Sequence, residues 1–348
     1  MKKLSFLLIF SAISIQTLNA CTTFLLHKNG QYVFGKNYDW VTGTGMVNTN
    51  LKGLVKLSLP LEGGNVLNWT SKYGSTTFNQ YGKEFPNGGM NETGLVVELM
   101  WLTESKYPER DKRPALSVLQ WIQYQLDNCS TVEEVIRTDR ILRITSTGTP
   151  QHYLVADSKG GVATIEFLNG KMVVHRADKL PFPVLANSTY ETSVNAINTS
   201  KNVSLDNSLS RFSKACKMVQ QYQQTEVNKP LVDYSFDILN AVSQASFTKW
   251  SIVYDISNRK VYFKTSSNGK KRSFSLNDFN YQCSSTPLSY HLNAKDMGEI
   301  SKSFTAFSSQ QNKKMLKQAF AETGTAVNIK EELQNSLGAF AEAITCSK

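Results

Sequence analysis

Histidine is scarce in this chain: His27, His152, His175 and His291 are the only four among 348 residues. None stands at metal-ligand spacing from another, which disfavours a zinc enzyme and leaves no metal site to assign. Cysteine is equally sparse, five residues with no CxxC pair. No dense Lys/Arg stripe with interleaved aromatics accompanies the formal charge of +10, so nucleic acid is a poor partner for it. Such a charge can draw anionic substrates or a membrane surface, but the favoured reading is simply a soluble basic protein. Beyond residue 15 no apolar run is long enough to cross a bilayer, which speaks against stable membrane insertion. Low-complexity tracts and internal repeats are also missing, and 41% hydrophobic residues can build an ordinary core.

What is present begins at the first residue. Lys2-Lys3, the apolar stretch Leu4 to Ile15 and the polar stretch Gln16 to Ala20 have the three-part order of an export signal. Cleavage after Ala20 would remove residues 1–20, leave Cys21 first, and place the protein in the periplasm or outside the cell. In such a compartment an odd number of cysteines suggests one special thiol. The other four, Cys129, Cys216, Cys283 and Cys346, either pair or serve as small buried thiols.

Strand-like runs dominate the first half. Cys21 to His27 and Gln31 to Gly35 flank Asn29-Gly30, a tight-hairpin signal. Further runs are Leu54 to Leu59, Thr76 to Phe78, Gly94 to Leu99, His152 to Asp157, Val162 to Phe167 and Lys171 to Arg176, with Asn169-Gly170 between the last two. Trp250 to Asp255 and Val261 to Thr265 follow later, and the short turns predict mostly antiparallel sheets. Helical spacing predicts helices over 114–126, from a Ser130/Glu133 capping box through Ile136, over 209–222 and 231–242, and from Asn312 onward. Strand blocks alternating with helix pairs fit a layered α+β fold rather than a parallel βαβ sheet. The expected division is a signal over 1–20, a main domain over 21–295 and a helical C-terminal extension over 296–348.

Once first in the chain, Cys21 would carry a thiol and a free α-amine on adjacent carbons. An α-amine titrates near pH 7.7–8.0 and a thiol near 8.5, so one residue can supply nucleophile and base, less than about one pH unit apart. That arrangement needs no histidine. The hairpin brings Lys36 and Asp39 back toward Cys21, where a carboxylate can orient an ammonium and a cation can favour a thiolate. Tyr38, Trp40, Met100 and Trp101 are candidates for an apolar acyl pocket, and core packing is the competing use for such residues.

Cys21-Thr-Thr, Gly35-Lys-Asn-Tyr-Asp39, Asn87-Gly-Gly-Met-Asn-Glu-Thr-Gly-Leu95, Leu185-Ala-Asn-Ser-Thr189 and Ser208-Leu-Ser-Arg-Phe212 stand in this order. Together they resemble the choloylglycine hydrolase and penicillin V acylase family, from Cys21 to about Lys295. The resemblance implies an αββα sandwich, hydrolysis of a linear amide C–N bond, no cofactor, and a homo-oligomer. It further implies that Cys21 is the nucleophile, that Asp39 holds its α-amine, that Asn187 donates to the oxyanion, and that Arg211 supplies positive charge near the thiolate.

Two positions depart from the family pattern. Lys36 stands where Arg is usual, which keeps the charge and loses the planar fork. Met100-Trp101 stands where many members have a second oxyanion Asn. Asn91 is expected to be structural, in a turn with Gly94. Trp101 together with an export signal resembles the Gram-negative branch, which tilts the expected substrate toward penicillin V-like compounds or other N-acyl amides over conjugated bile salts. Leu18-Asn19-Ala20-Cys21 also resembles a lipobox, and lipidation of Cys21 would make the protein an anchored binding module. That modification would consume the thiol and the amine together, so the two fates exclude each other. A lipobox leaves Asp39, Asn187 and Arg211 unexplained.

Overall fold

Asn29 and Gly30 both adopt positive φ, +52° and +74°, and Lys28 pairs with Gln31 across them. The Asn-Gly pair thus closes the two-residue hairpin it predicts, because these residues tolerate the left-handed conformation that such a turn demands. Asn169-Gly170 repeats the device between Leu168 and Lys171. The computed structural model describes residues 21–61, 66–145, 149–199, 207–224, 227–327 and 329–347. The export signal expected over residues 1–20 lies outside them.

Two large sheets result. The first runs, in spatial order, Val184–Leu185, Thr22–Lys28, Gln31–Asp39, Thr248–Asp255, Lys260–Thr265, Asn268–Ser275 and Gly298–Glu299. The second runs Lys171–Arg176, Val162–Leu168, Gln151–Ala156, Val96–Trp101, Pro86–Asn91, Ser75–Asn79, Met46–Asn50, Leu288–His291 and Thr305–Ala306. Every pairing in them is antiparallel except Asn268–Ser275 with Gly298–Glu299.

Seven α-helices are formed by the described residues: α1 (Val118–Asn128), α2 (Val132–Arg137), α3 (Tyr190–Asn198), α4 (Asn207–Gln224), α5 (Leu231–Ala241), α6 (Ser309–Thr323) and α7 (Glu331–Ala339). Helix α4 buries Phe212, Ala215, Cys216, Val219 and Tyr222, the apolar stripe of a helix lying on a sheet. Helices α4 and α5 pack on the strands Thr22–Lys28 and Gln31–Asp39, and α1 packs on Pro86–Asn91 and Val96–Trp101. Phe78, Met90, Val96 and Met100 of the second sheet share one core with Phe24, Phe34, Trp250 and Tyr254 of the first. Val97 and Leu99 share another with Trp121 and Ile122 of α1. The layers are therefore helix, sheet, sheet, helix, the expected αββα sandwich.

Two local expectations need correction. The helix expected from Pro114 starts at Val118, because Ala115–Ser117 first pairs in parallel with Arg143–Thr145 and Ser117 then caps α1. The cap of α2 is Thr131 rather than Ser130, with Thr131 Oγ1 accepting from Glu134 N. Glu134, rather than Glu133, reaches back to Ser130 N. The capping box is displaced by one residue. Cys283 and Cys346 form a disulfide, whereas Cys129 and Cys216 are buried free thiols. Burial pushes the Cys129 thiol up to about 12, which makes it inert at neutral pH.

Candidate active site

Antiparallel pairing of Thr22 with Asn37 and Thr23 with Lys36 sets Cys21 beside the end of the neighbouring strand. Its Sγ donates to the Asp39 carbonyl at 3.8 Å, and the residue is buried. Burial raises the thiol's pKa, while the Lys36 charge opposes that rise. The thiol therefore needs a base before it can attack.

Asp39 is the group best placed to hold one. Thr248 Oγ1 donates to its Oδ1 at 2.5 Å, whereas its buried Oδ2 has no hydrogen-bond partner among the described residues. Burial raises the Asp39 pKa to about 6, against the Thr248 hydrogen bond and the charges of Arg211 and Lys36. An unpaired buried carboxylate oxygen costs free energy that an ammonium beside it would recover.

Arg211 rises from the second turn of α4 and joins the remaining parts. Its Nη1 donates to Thr22 Oγ1 at 2.6 Å and to the Cys21 carbonyl, its Nη2 to Asn187 Oδ1 at 2.9 Å, and its Nε to Asn207 Oδ1 at 3.1 Å. Asn187 Nδ2 in turn donates to the Trp101 carbonyl at 2.8 Å, and Asn187 N to Ser208 Oγ at 2.9 Å. A primary amide has two N–H groups, so Nδ2 keeps a second donor. Cys21, Asn187 and Arg211 thus belong to one hydrogen-bonded network, with Asp39 joined to it at Cys21.

Lys36 points into the space between the sheets. Its Nζ donates to the Leu99 carbonyl and lies 3.9 Å from Glu98 Oε2. Tyr254 OH donates to Glu98 Oε1 at 2.5 Å. Burial raises Glu98 to about 7, opposed by Lys36 and by the tyrosine. Glu98 escaped the sequence-based search, although a single carboxylate inside the apolar run Gly94 to Leu99 was a usable signal. A Cβ on its cross-strand partner Gly88 would sit 2.1 Å from the Glu98 carboxyl carbon, so any other residue there would have to displace the carboxylate. His152 was likewise unassigned. Its Nε2 donates to the Ala186 carbonyl at 2.8 Å, its Nδ1 lies 3.2 Å from Glu166 Oε1, and Glu166 Oε1 accepts from Tyr190 N at 3.0 Å. These contacts hold the turn that carries Asn187.

A cavity of about 660 Å³ opens onto Cys21 and Asp39. Tyr38, Trp40 and Trp101 line it, joined by Leu99 and Asn87. Met100 does not. Side chains alternate along a strand, so with Leu99 and Trp101 on the wall, Met100 faces the other way and is buried, its sulfur accepting from Thr23 Oγ1 at 3.4 Å. Asn91 is structural: its Nδ2 donates to the carbonyls of Leu126 and Cys129, its Oδ1 accepts from Thr93 N and Leu95 N, and Gly94 has φ +87°. No group of His, Cys, Asp and Glu among the described residues could hold a metal ion.

The sequence model of the linear amide C–N hydrolases, choloylglycine hydrolase family, matches residues 21–210. This chain belongs to the choloylglycine hydrolase family. The match begins at Cys21, contains Asp39 and Asn187, and stops one residue before Arg211. A penicillin V acylase of Pectobacterium atrosepticum is 34% identical over 200 residues, 51% of this chain and 50% of that protein. The chain therefore spans about half the length of that curated relative. The penicillin V acylase structure from Agrobacterium tumefaciens superposes with a TM-score of 0.71 at 24% identity, over 83% of this chain and 98% of that one. A variant of conjugated bile acid hydrolase from Clostridium perfringens gives 0.66 at 19% identity, over 79% and 98%. At these identities the superpositions establish the shared sandwich fold of the choloylglycine hydrolases.

Proposed function

We propose that this protein is an exported amidase that hydrolyses a linear amide C–N bond with Cys21 as its N-terminal nucleophile. The observation that carries the proposal is a buried Cys21 thiol bonded to the main-chain carbonyl of Asp39, a residue whose buried Oδ2 has no hydrogen-bond partner among the described residues. With residues 1–20 removed, the α-amine of Cys21 takes the thiol proton and is held as an ammonium by Asp39. Sγ attacks the amide carbon, and the carbonyl oxygen becomes an oxyanion that accepts from Asn187 Nδ2. Collapse breaks the C–N bond, the α-ammonium gives its proton to the departing nitrogen, and a thioester remains. Water, deprotonated by the α-amine, then releases the acid and restores the thiol.

The apolar walls around Trp40, Trp101 and Tyr38 favour a bulky apolar acyl group, as in penicillin V-like compounds, N-acyl amides or conjugated bile salts. Lipidation at Cys21 agrees poorly with a buried thiol whose own carbonyl is clasped by Arg211. Among the described residues no helix is long and apolar enough to cross a membrane. The deciding experiment is the intact mass and N-terminal peptide of the protein recovered from its native compartment. An unmodified Cys21 at the terminus is expected, and a diacylglyceryl adduct there would end the amidase assignment.

The raised pKa of Asp39 has a direct kinetic consequence. Its carboxylate form is the one that holds an ammonium, and protonation removes that grip. Burial sets Asp39 at about 6, and the Cys21 ammonium of the processed protein lowers it from there. Activity should therefore fall on the acid side below about 6, with kcat/KM losing about tenfold per pH unit down the limb. Thr248→Val deletes a hydrogen bond that favours the charged form. It should move the acid limb to higher pH. A limb that ignores Thr248→Val would detach Asp39 from the profile.

A further inference from the structure

The cavity has a wall that does not come from the catalytic sheets. Phe320 of α6, Val327, Ile329 and Lys330 from the connection, and Leu333 and Leu337 of α7 line the same cavity as Cys21. Asp39, beside Cys21, and Lys330, which is exposed, are its charged lining residues among those described. Between them the surface is mainly aromatic and aliphatic, from Trp40 and Trp101 past Tyr81 and Phe85 to Leu333.

This wall is anchored to the loop that follows Asp39. Trp40 Nε1 donates to Tyr81 OH at 2.8 Å, and Tyr81 OH lies 3.0 Å from Thr323 Oγ1 of α6. Glu322 accepts from Thr44 Oγ1 at 2.7 Å and also from Thr42 Oγ1. Phe320 stacks beside Tyr81 with ring centres 4.8 Å apart, and Phe340 meets Phe85 at 5.2 Å. Asn312 Nδ2 bonds the Gly338 carbonyl at 2.9 Å, which fixes α6 against α7. Beyond α7 the chain adds Thr345–Cys346 as an edge strand to Leu54–Leu57, and Cys346 is crosslinked to Cys283. Leu59, Pro60 and Leu61, which follow that strand, belong to the same cavity. The crosslink therefore holds both the end of the C-terminal segment and the neighbouring cavity loop. Cys346 is exposed and Cys283 partly so, within reach of a reductant.

We infer that the segment Ser309–Cys346 is the acyl-selectivity wall of this enzyme, clasped in place by the Cys283–Cys346 disulfide. Resting on the amidase assignment, the inference specifies substrates whose apolar acyl chain is long enough to run from Cys21 to Leu333. On this reading short acyl groups bury less surface against the wall than long ones do. Leu333 is the residue to change, because it lines the cavity while remaining 43% exposed, so its replacement does not open a core.

The test is a series of N-acyl amides from butanoyl to dodecanoyl with one common chromogenic amine, read as kcat and KM. Leu333→Glu should lower the kcat/KM preference for dodecanoyl over butanoyl about tenfold, through KM, since a charge replaces apolar contact. The C283S/C346S double variant should lower the same preference. Dithiothreitol should do so in the unaltered protein and change nothing further in the double variant. An undiminished dodecanoyl preference in Leu333→Glu, with every amide still hydrolysed, would overturn the wall and leave the amidase standing. Calorimetric binding of dodecanoate separates the other cases. If no amide is cleaved but Leu333→Glu weakens dodecanoate binding, the wall holds and the amidase assignment falls. If dodecanoate does not bind the unaltered protein and no amide is cleaved, both fall.

Discussion

Cys21→Ala should abolish turnover, lowering kcat by at least about 10⁴-fold, the scale on which removal of a nucleophile acts. On the proposed mechanism the loss is large because the substitution removes the atom that forms the acyl-enzyme, while the α-amine, Asp39, Asn187 and Arg211 all remain. None of the other described cysteines can substitute for it. Cys129 and Cys216 are buried free thiols, and Cys283 and Cys346 are crosslinked. The fold should survive, because the Cys21 backbone contact that organises the site, its carbonyl to Arg211, does not involve the side chain. Thermal unfolding within a few degrees of the unaltered protein, together with an acyl-amide panel read by released amine, checks both halves. Substantial residual turnover would remove Cys21 from the nucleophile role. Cys21→Ser sharpens the result. A hydroxyl keeps the shape but is far less acidic than a thiol, so the α-amine of residue 21 must do more of the work and the rate should still fall steeply.

How much of this was written in the sequence depends on how local the information is. Asn29-Gly30 and Asn169-Gly170 announce their turns because positive φ is a property of two residues. Five short motifs in order carried the αββα fold and placed Cys21, Asp39, Asn187 and Arg211 in one neighbourhood. What could not be read locally is pairing across the fold. Glu98 becomes Lys36's partner only when the two sheets face each other. Cys283 finds Cys346 across 63 residues because both flank the strand Leu54–Leu57 region, a contact no spacing encodes. Met100 was misplaced for a subtler reason. Along Val96–Trp101 the side chains alternate between faces, so Leu99 and Trp101 turn to the cavity and Met100 to the packed side, a choice composition alone does not make.

Asn187→Ala should lower kcat by about 10²–10³-fold and change KM by no more than about threefold, the signature of a donor whose acceptor is fully charged only in the transition state. The ground-state carbonyl is a weaker acceptor, so binding of intact amide loses little. A change confined to KM would make Asn187 a substrate-binding residue instead. The structure adds a complication, because Asn187 Oδ1 also accepts from Arg211 Nη2. Alanine therefore deletes the oxyanion donor and one anchor of the arginine at once. Asn187→Asp separates the two effects. It keeps an acceptor for Arg211 and lacks an N–H, so a loss as deep as that of alanine assigns the effect to the missing donor. Arg211→Ala should also slow turnover, since its guanidinium spans Asn187, Thr22 and the Cys21 carbonyl. Because the two residues touch, their effects should not add. The double variant Asn187→Ala/Arg211→Ala should lose less than the product of the single losses. Strict multiplicativity would mean that Arg211 does not act through Asn187, and that its charge works on the Cys21 thiolate alone.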